Sequence, residues 1–211
     1  MALSIHETIK EIKKEFRLSM NGVVSTLQRR QGLDYRINFG IEVPRLKRIA
    51  AKFPHDEELA RTLWKENIRE CKLLAIYLLP EASYPLVAEE WIAETRFTEI
   101  ADLLSMHILY RIPEAAEKAL EWTGRKEGLF PHCGYMTLTH LFRSGHGLEN
   151  TEEEKFLDNI TTVFAVESST TLRRNAYNSL LHYIDIDGTR ADSISNRLKE
   201  KGCITIPEPL Q

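Results

Sequence analysis

Cysteine is scarce in this sequence of 211 residues, which contains only three. Cys71, Cys133 and Cys203 lie far apart and form no CxxC pair, which argues against a disulfide framework and against a zinc ribbon. The seven histidines include no HExxH motif and no close pair with a third ligand beside it. We therefore expect no metal ion and no other cofactor, and we expect the thiols to reside in a reducing compartment.

Long hydrophobic runs are missing as well. Residues 1–16 mix apolar and charged side chains and lack the apolar run of about 7–15 residues that marks a signal peptide. No later stretch approaches the roughly 18 consecutive apolar residues of a membrane helix. We therefore predict a cytoplasmic protein that is neither exported nor embedded in a membrane.

The sequence carries little net charge, because 28 lysines and arginines stand against 31 aspartates and glutamates. A pI near 6.2 excludes a strongly basic protein that coats nucleic acid. A local basic groove is compatible with these values, since a phosphate responds to charges within about 8–10 Å at moderate salt. Any DNA binding should therefore be local, modest and readily weakened by salt.

The strict alternation of a half-buried strand is almost absent, whereas apolar residues recur at spacings of three and four throughout the chain. This periodicity predicts an all-α protein. Short polar residues that can cap a first turn, and glycines that can end a last turn, mark the helix boundaries. The predicted helices span approximately residues 4–18, 20–31, 43–53, 56–65, 67–79, 84–94, 97–111, 113–123, 126–143, 151–165, 168–185 and 189–201.

The links between these helices are short, so sequential helices should pack antiparallel, as they do in an α-solenoid. The sequence shows no strict repeat, which favours degenerate HEAT-like repeats of about 40 residues per helix pair. We predict an α-α superhelix that forms a single domain over residues 1–211 and is monomeric. Residues 203–211, with two prolines, are predicted to form a non-helical tail.

Three segments point to a family. Residues 39–50 read FGIEVPRLKRIA, residues 70–75 read ECKLLA after a Leu-Trp pair at 63–64, and residues 100–109 read IADLLSMHIL. In this order they resemble the DNA alkylation repair family of HEAT-like-repeat DNA glycosylases. The resemblance covers about residues 35–185, and its first segment is the most specific.

The resemblance implies a function and a catalytic residue. Family members release positively charged N3- or N7-alkylated purines from duplex DNA in base excision repair, and a carboxylate stabilises the sugar cation that forms as the bond breaks. Carried over to this sequence, the carboxylate is Asp102. Asp102 could instead be a structural carboxylate that binds amides or an arginine of a neighbouring helix. The family's other positions differ here: its tryptophans fall at about Thr98 and Ser179, and its phosphate-binding arginine falls near Cys133.

Neighbouring residues could partly take the place of these missing groups, and Phe97, His132 and Tyr177 lie closest in sequence. Two functions therefore stay open. The first is excision of alkylated purines through Asp102 by a protein that binds duplex DNA in a concave groove. The second is a catalytically silent HEAT-like module that binds DNA structure or a protein partner.

Basic residues supply the candidate DNA contacts. In the helix predicted at 43–53, a stripe of Arg45, Arg48 and Lys52 lies apart from the apolar face and could follow a phosphate backbone, or it could be an ordinary solvated face. Arg173 lies beside an apolar stripe, where it could face a groove, pair with an acid such as Asp102, or extend to solvent at the edge of the core. The predicted DNA-binding residues are Arg45, Arg48, Lys52, Phe97, Arg173 and Arg174.

Overall fold

The computed structural model describes residues 3–166 and 168–202, and the regular structure in them is helical. These residues form twelve α-helices, and their β-structure is limited to one isolated bridge between Ile37 and Ile68. The predicted all-α fold class is confirmed, whereas the predicted tail at 203–211 lies outside the described residues. The helices are α1 Ile5–Leu18, α2 Gly22–Arg30, α3 Val43–Ala50, α4 Glu57–Trp64, α5 Arg69–Leu78, α6 Tyr84–Glu94, α7 Thr98–His107, α8 Ala115–Gly124, α9 Phe130–Arg143, α10 Asn150–Ala165, α11 Thr170–Ile186 and α12 Ala191–Glu200.

Each predicted helix has a counterpart in the structure, and the differences lie at the ends. The helix predicted at 43–53 ends at Ala50, where the backbone turns. The helix predicted at 126–143 begins at Phe130, with Pro131 in its first turn. Proline lacks an N–H group and suits the first turn of a helix, so a start well upstream of it would leave a backbone carbonyl without a partner.

Contacts between Cα atoms divide the chain into two compact units, of which the first ends at Val87 and the second begins at Ala88. The predicted single domain over residues 1–211 stays a prediction. The two units are described separately below.

In the first unit, the buried Glu70 of α5 binds the chain that leads into α3. Its carboxylate accepts hydrogen bonds from the backbone amides of Phe39 at 3.0 Å and Ile41 at 3.2 Å. The adjacent Arg69 donates to the Ile41 carbonyl at 2.9 Å and lies 3.0 Å from the Glu70 carboxylate. Both side chains are at most 1% exposed. Loss of either one would therefore leave the other as an uncompensated buried charge. Two of the segments that carry the family resemblance therefore bind each other and have a structural role.

Gly40, at the centre of the first of these segments, is required by packing. Its backbone has φ of 70°, a left-handed conformation that favours glycine. A Cβ atom there would overlap the Asn21 carbonyl oxygen and lie 2.6 Å from the Ser25 amide nitrogen. Both are backbone atoms that cannot easily move, so a side chain at this position would displace α2.

In the second unit, α7, α9 and α11 lie side by side and run in the same direction. The direction follows from matched contacts, because early residues of one helix meet early residues of the next and later residues meet later ones. The matched pairs are Asp102 with His132, Tyr110 (just beyond the end of α7) with His140, Asn175 with His132, and Tyr183 with Phe142.

The helices α8, α10 and α12 form a second row in this unit. Asn159 of α10 donates to the Leu120 carbonyl of α8 at 3.1 Å and lies 2.8 Å from Thr123 Oγ1. Ion pairs join α10 to α12, including Arg197 to Glu153, and Lys201 directly after α12 pairs with Asp158 at 2.7 Å. Successive helices thus alternate between the two rows, as antiparallel helix pairs joined by short links must.

The tryptophans and the described cysteines belong to the core. Trp64, Trp91 and Trp122 are at most 1% exposed and pack in the interior. Cys71 and Cys133 are fully buried, and burial raises the pKa of each thiol to about 12. Such thiols stay protonated near neutral pH, so Cys133 fills space and is not a nucleophile.

No single helix among residues 3–166 and 168–202 is long and apolar enough to cross a membrane, although one bent pair, Arg69–Leu78 with Glu81–Glu94, meets the criteria of length and composition alone. The same residues contain no group of three or more histidine, cysteine, aspartate or glutamate side chains that could hold a metal ion.

Candidate active site

The candidate site is built around α9, which packs against α7, α8 and α11 in the second unit. Gly134 sets the distance between α9 and α8. A Cβ atom on Gly134 would lie 2.7 Å from both the Ala119 carbonyl oxygen and the Thr123 amide nitrogen of α8. The two backbones are therefore as close as a residue without a side chain permits. This contact fixes the first turn of α9, which carries His132.

His132 lies in that first turn, directly after Pro131, and its side chain is 7% exposed. Its Nε2 is 2.6 Å from Oδ1 of Asp102 on α7. Its Nδ1 is 2.9 Å from Nδ2 of Asn175 on α11. Asn175 is 5% exposed, so the three side chains form a continuous row from the interior to the surface. Residues 30 and 43 positions apart meet here through α9.

Polar partners orient the imidazole from both sides. The amide Nδ2 of Asn175 faces Nδ1 of His132, and Nε2 faces the Asp102 carboxylate. Each ring nitrogen therefore has a polar partner, and the ring is held between α7 and α11.

Asp102 forms the exposed end of the row. It lies at the fifth position of α7, and its side chain is 51% exposed while its partner histidine is buried. The buried Ser105, one turn further on, donates to the Ala101 carbonyl at 2.9 Å and approaches the Cys133 carbonyl of α9 at 3.4 Å. This side chain links α7 to α9 next to the carboxylate.

The contact with His132 holds one oxygen of the Asp102 carboxylate in place. The geometry therefore presents an oriented, half-exposed carboxylate at the surface of the α7, α9 and α11 row.

The surface beside Asp102 is apolar and contains further histidine. Met106 and Met136 lie one helical turn beyond Asp102 and His132, and Met106 is 41% exposed. His140 follows one turn later on α9. Burial lowers the pKa of His140, the nearby Arg143 lowers it further, and the Asp102 charge acts in the opposite direction. This imidazole is therefore mainly uncharged at neutral pH.

The positions taken over from the family resemblance are only partly on this surface. Cys133 and Ser179, where the arginine and one tryptophan were expected, are both fully buried. His132 precedes Cys133 by one residue, a rotation of about 100° on the helix, and it faces Asp102 instead. Asn175, one turn before Ser179, completes the row. Thr98 is exposed near the start of α7.

Of the three residues considered as replacements, His132 contacts Asp102. Phe97 is half-buried and precedes α7, with the Arg96 guanidinium 5.7 Å from its ring centre. Tyr177 is half-buried on α11. Asn175 was not predicted as a site residue. A polar residue in a helix of mixed composition does not indicate which side chain of another helix it will contact.

The arginines of α11 do not join the row. Arg173 donates to the Val166 carbonyl at 2.9 Å. It lies two residues before Asn175, so the two side chains point about 160° apart on the helix. The described residues therefore give no support to a pair between Arg173 and Asp102, whose observed partner is His132. Arg174 is exposed.

The basic stripe on α3 belongs to the first unit. Arg45 and Arg48 are exposed, as is Lys52 just beyond the helix end. Lys52 pairs with Glu15 at 2.8 Å, and Arg45 Nε donates to the Ser19 hydroxyl at 3.3 Å. Within the described residues no such bond is recorded for Arg48, so its guanidinium is available to solvent or a ligand.

Comparisons with known proteins give one match. The model of a family described as DNA alkylation repair enzyme matches residues 5–189 of this chain. The matched span contains Asp102, His132 and Asn175 as well as the basic stripe on α3. No curated protein and no solved structure matches the chain.

Proposed function

The chain belongs to the DNA alkylation repair enzyme family, and we propose that it releases alkylated purines from duplex DNA as a DNA N-glycosylase. Asp102 is the proposed catalytic residue. The proposed scaffold is an α-α superhelix of HEAT-like repeats, which the alternation of α7 to α12 between two rows supports. The proposal includes duplex DNA as the partner and requires no cofactor.

The reaction follows from the charge of the substrate. A purine alkylated at N3 or N7 carries a positive charge, so it is a good leaving group. When the N-glycosidic bond breaks, its electron pair goes to the base, which becomes neutral, and the positive charge passes to the sugar as an oxocarbenium ion. Water then adds to the anomeric carbon and loses a proton, which leaves an abasic site. The enzyme has mainly to stabilise the sugar cation.

The observation that carries this proposal is the state of Asp102. Its carboxylate is half-exposed and oriented by a hydrogen bond of 2.6 Å with His132. A charge held in place before the reaction needs no reorganisation as the sugar cation develops. The apolar Met106 beside it would exclude water from one side of the sugar.

The DNA contacts of the proposal are the predicted basic and aromatic residues. Arg45 and Arg48 on α3 are exposed and suited to phosphate contacts, whereas Lys52 must first leave Glu15. Phe97 precedes the helix that carries Asp102 and offers an aromatic edge. The remaining candidates, Arg173 and Arg174, stand on α11.

Release of methylated base tests the proposal. Duplex DNA that carries N7-methylguanine is incubated with excess protein, and the free base is quantified against a blank without protein. We expect release by the native chain and a loss of about 10²–10³-fold in rate for Asp102→Asn, the usual effect of removing one such stabilising group. Asp192→Asn, an exposed aspartate on α12, is the matched control and should keep the native rate. Equal rates for the native chain and Asp102→Asn would refute the proposal.

A second function is favoured by the burial of Cys133 and Ser179. Two of the positions where the family resemblance implies an arginine and a tryptophan cannot reach DNA here. A catalytically silent module that recognises DNA structure or a protein partner would tolerate this change. Duplex binding that falls with salt, together with no release of base, would assign the protein to this class, and the absence of both activities would point to a protein partner.

A further inference from the structure

We infer that His132 and Asn175 act as a positioning pair, which holds the Asp102 carboxylate in one orientation. This inference rests on the proposed function, because it assigns a role in the same reaction. Neither residue is proposed to touch the DNA. They act through Asp102, so each is a positioning residue and not a catalytic one.

The first argument is the dependence of Asp102 on His132. An aspartate that is 51% exposed would normally exchange among rotamers and bind water. Within the described residues, the hydrogen bond from His132 Nε2 at 2.6 Å is the one recorded for the Asp102 side chain. Hydrogen bonds to a charged acceptor are short and strong. His132 therefore determines where the carboxylate points.

The second argument is the dependence of His132 on Asn175. The ring can donate to Asp102 only through a proton on Nε2. The Asn175 amide nitrogen lies 2.9 Å from Nδ1. This contact holds the opposite edge of the ring, so Nε2 stays directed at the carboxylate. Its 5% exposure keeps water from competing for Nδ1.

The third argument excludes a different use of this histidine. A histidine beside a cysteine can serve as the base of a thiol nucleophile. The neighbouring Cys133 is fully buried, and burial raises the pKa of its thiol to about 12. The imidazole ring is also engaged on both nitrogens by Asp102 and Asn175. The geometry leaves His132 the task of orienting the carboxylate.

Four variants separate orientation, charge and folding. His132→Gln keeps a neutral amide donor that can reach the position of Nε2. His132→Leu combined with Asn175→Leu removes the donor without leaving a buried amide unpaired. Asn175→Asp keeps the donor but places a carboxylate at Nδ1, which favours the imidazolium and so cancels the charge of Asp102. His55→Leu, at an exposed histidine in the first unit, is the control.

Two readouts are measured on each full-length variant. One is the rate of N7-methylguanine release in a single turnover with saturating protein, and the other is the affinity for an undamaged duplex. We expect the double leucine variant to lose about 10²-fold in rate, the scale of a displaced catalytic group. We expect His132→Gln to stay within about fivefold of the native rate and Asn175→Asp to lose at least about tenfold. Affinity for the duplex should change less than about threefold in all of them.

The outcomes distinguish this inference from the proposed function. If the native chain releases base and Asp102→Asn does not, the proposed function stands. In that case two results would overturn the positioning role. One is a native rate of base release in the double leucine variant. The other is a rate for His132→Gln that is as low as the rate of the double leucine variant. A parallel loss of rate and duplex affinity would also overturn it, since a general structural defect affects both. If the native chain releases no base, the proposed function and this role in it are both refuted.

Discussion

Replacing Gly134 by alanine tests whether the close contact between α8 and α9 sets the geometry of the site. The new Cβ atom would lie 2.7 Å from two backbone atoms of α8, those of Ala119 and Thr123. Backbone atoms cannot rotate away as the end of a side chain can. The substitution therefore has to separate the two helices.

The expected cost combines two effects. An alanine in a helix is favoured over glycine by up to about 1 kcal/mol through helix propensity. Overpacking of a tight contact costs about 1–3 kcal/mol. Gly124→Ala is the control, because Gly124 is also in a helix and its Cβ would meet only Asn159 at 3.8 Å, an ordinary contact. The difference in stability between the two variants should therefore be about 1–3 kcal/mol.

Thermal unfolding measures this difference. In a chain of this size 1 kcal/mol corresponds to roughly 2–4 °C in Tm, so Gly134→Ala should melt about 2–12 °C below Gly124→Ala. His132 lies two residues before Gly134, so the rate of base release should fall in the same variant while Gly124→Ala keeps it. Equal Tm values for the two variants would refute the argument that this contact holds α9 in place.

Two further predictions concern charge. Glu153 of α10 is 12% exposed and binds Tyr183 and Arg197. Burial is the largest influence on the pKa of its carboxyl and raises it. The hydrogen bonds and ion pair with these partners outweigh burial and hold the pKa below the ordinary 4.5. Because the folded pKa is the lower one, the stabilisation is complete above about pH 4.5 and is lost as the pH falls through the folded value. Glu153→Gln should thus lower the free energy of unfolding by about 1.5–3 kcal/mol at pH 7, and by progressively less in acid. Urea unfolding at several pH values measures this difference. A difference that does not change with pH would contradict the prediction. On α3, joint reversal of Arg45 and Arg48 to glutamate should weaken duplex binding and reduce its salt slope by about 2. Each single reversal, Arg45→Glu or Arg48→Glu, should reduce the slope by about 1, whereas Lys47→Glu, a single reversal elsewhere on this helix, should do less. Equal effects of the three single reversals would remove the stripe from the interface.

The sequence predicted the helices well, because helix formation depends on nearby residues. Apolar spacing and capping residues are local properties of the chain, and each predicted helix has a counterpart. The ends were less accurate, as with α3, which stops at Ala50. Where a helix ends depends on packing that the sequence does not display.

The family resemblance was informative for a reason that the structure explains. The segments around Gly40 and Glu70 are bound to each other by buried hydrogen bonds and a close backbone contact. They identify the fold, not the chemistry. The resemblance also singled out Asp102, which the structure places at the exposed end of a hydrogen-bonded row.

By itself, the sequence determined that the chain is helical, where its helices lie, and that one acidic residue deserved a functional role. Only the tertiary structure decided what faces that acid. His132 and Asn175 are 30 and 43 residues from their partners in the row, and an error of one residue turns a side chain by about 100° away from the site. Periodicity is set within a single helix, whereas this row exists because α9 packs between α7 and α11 and, at Gly134, against α8.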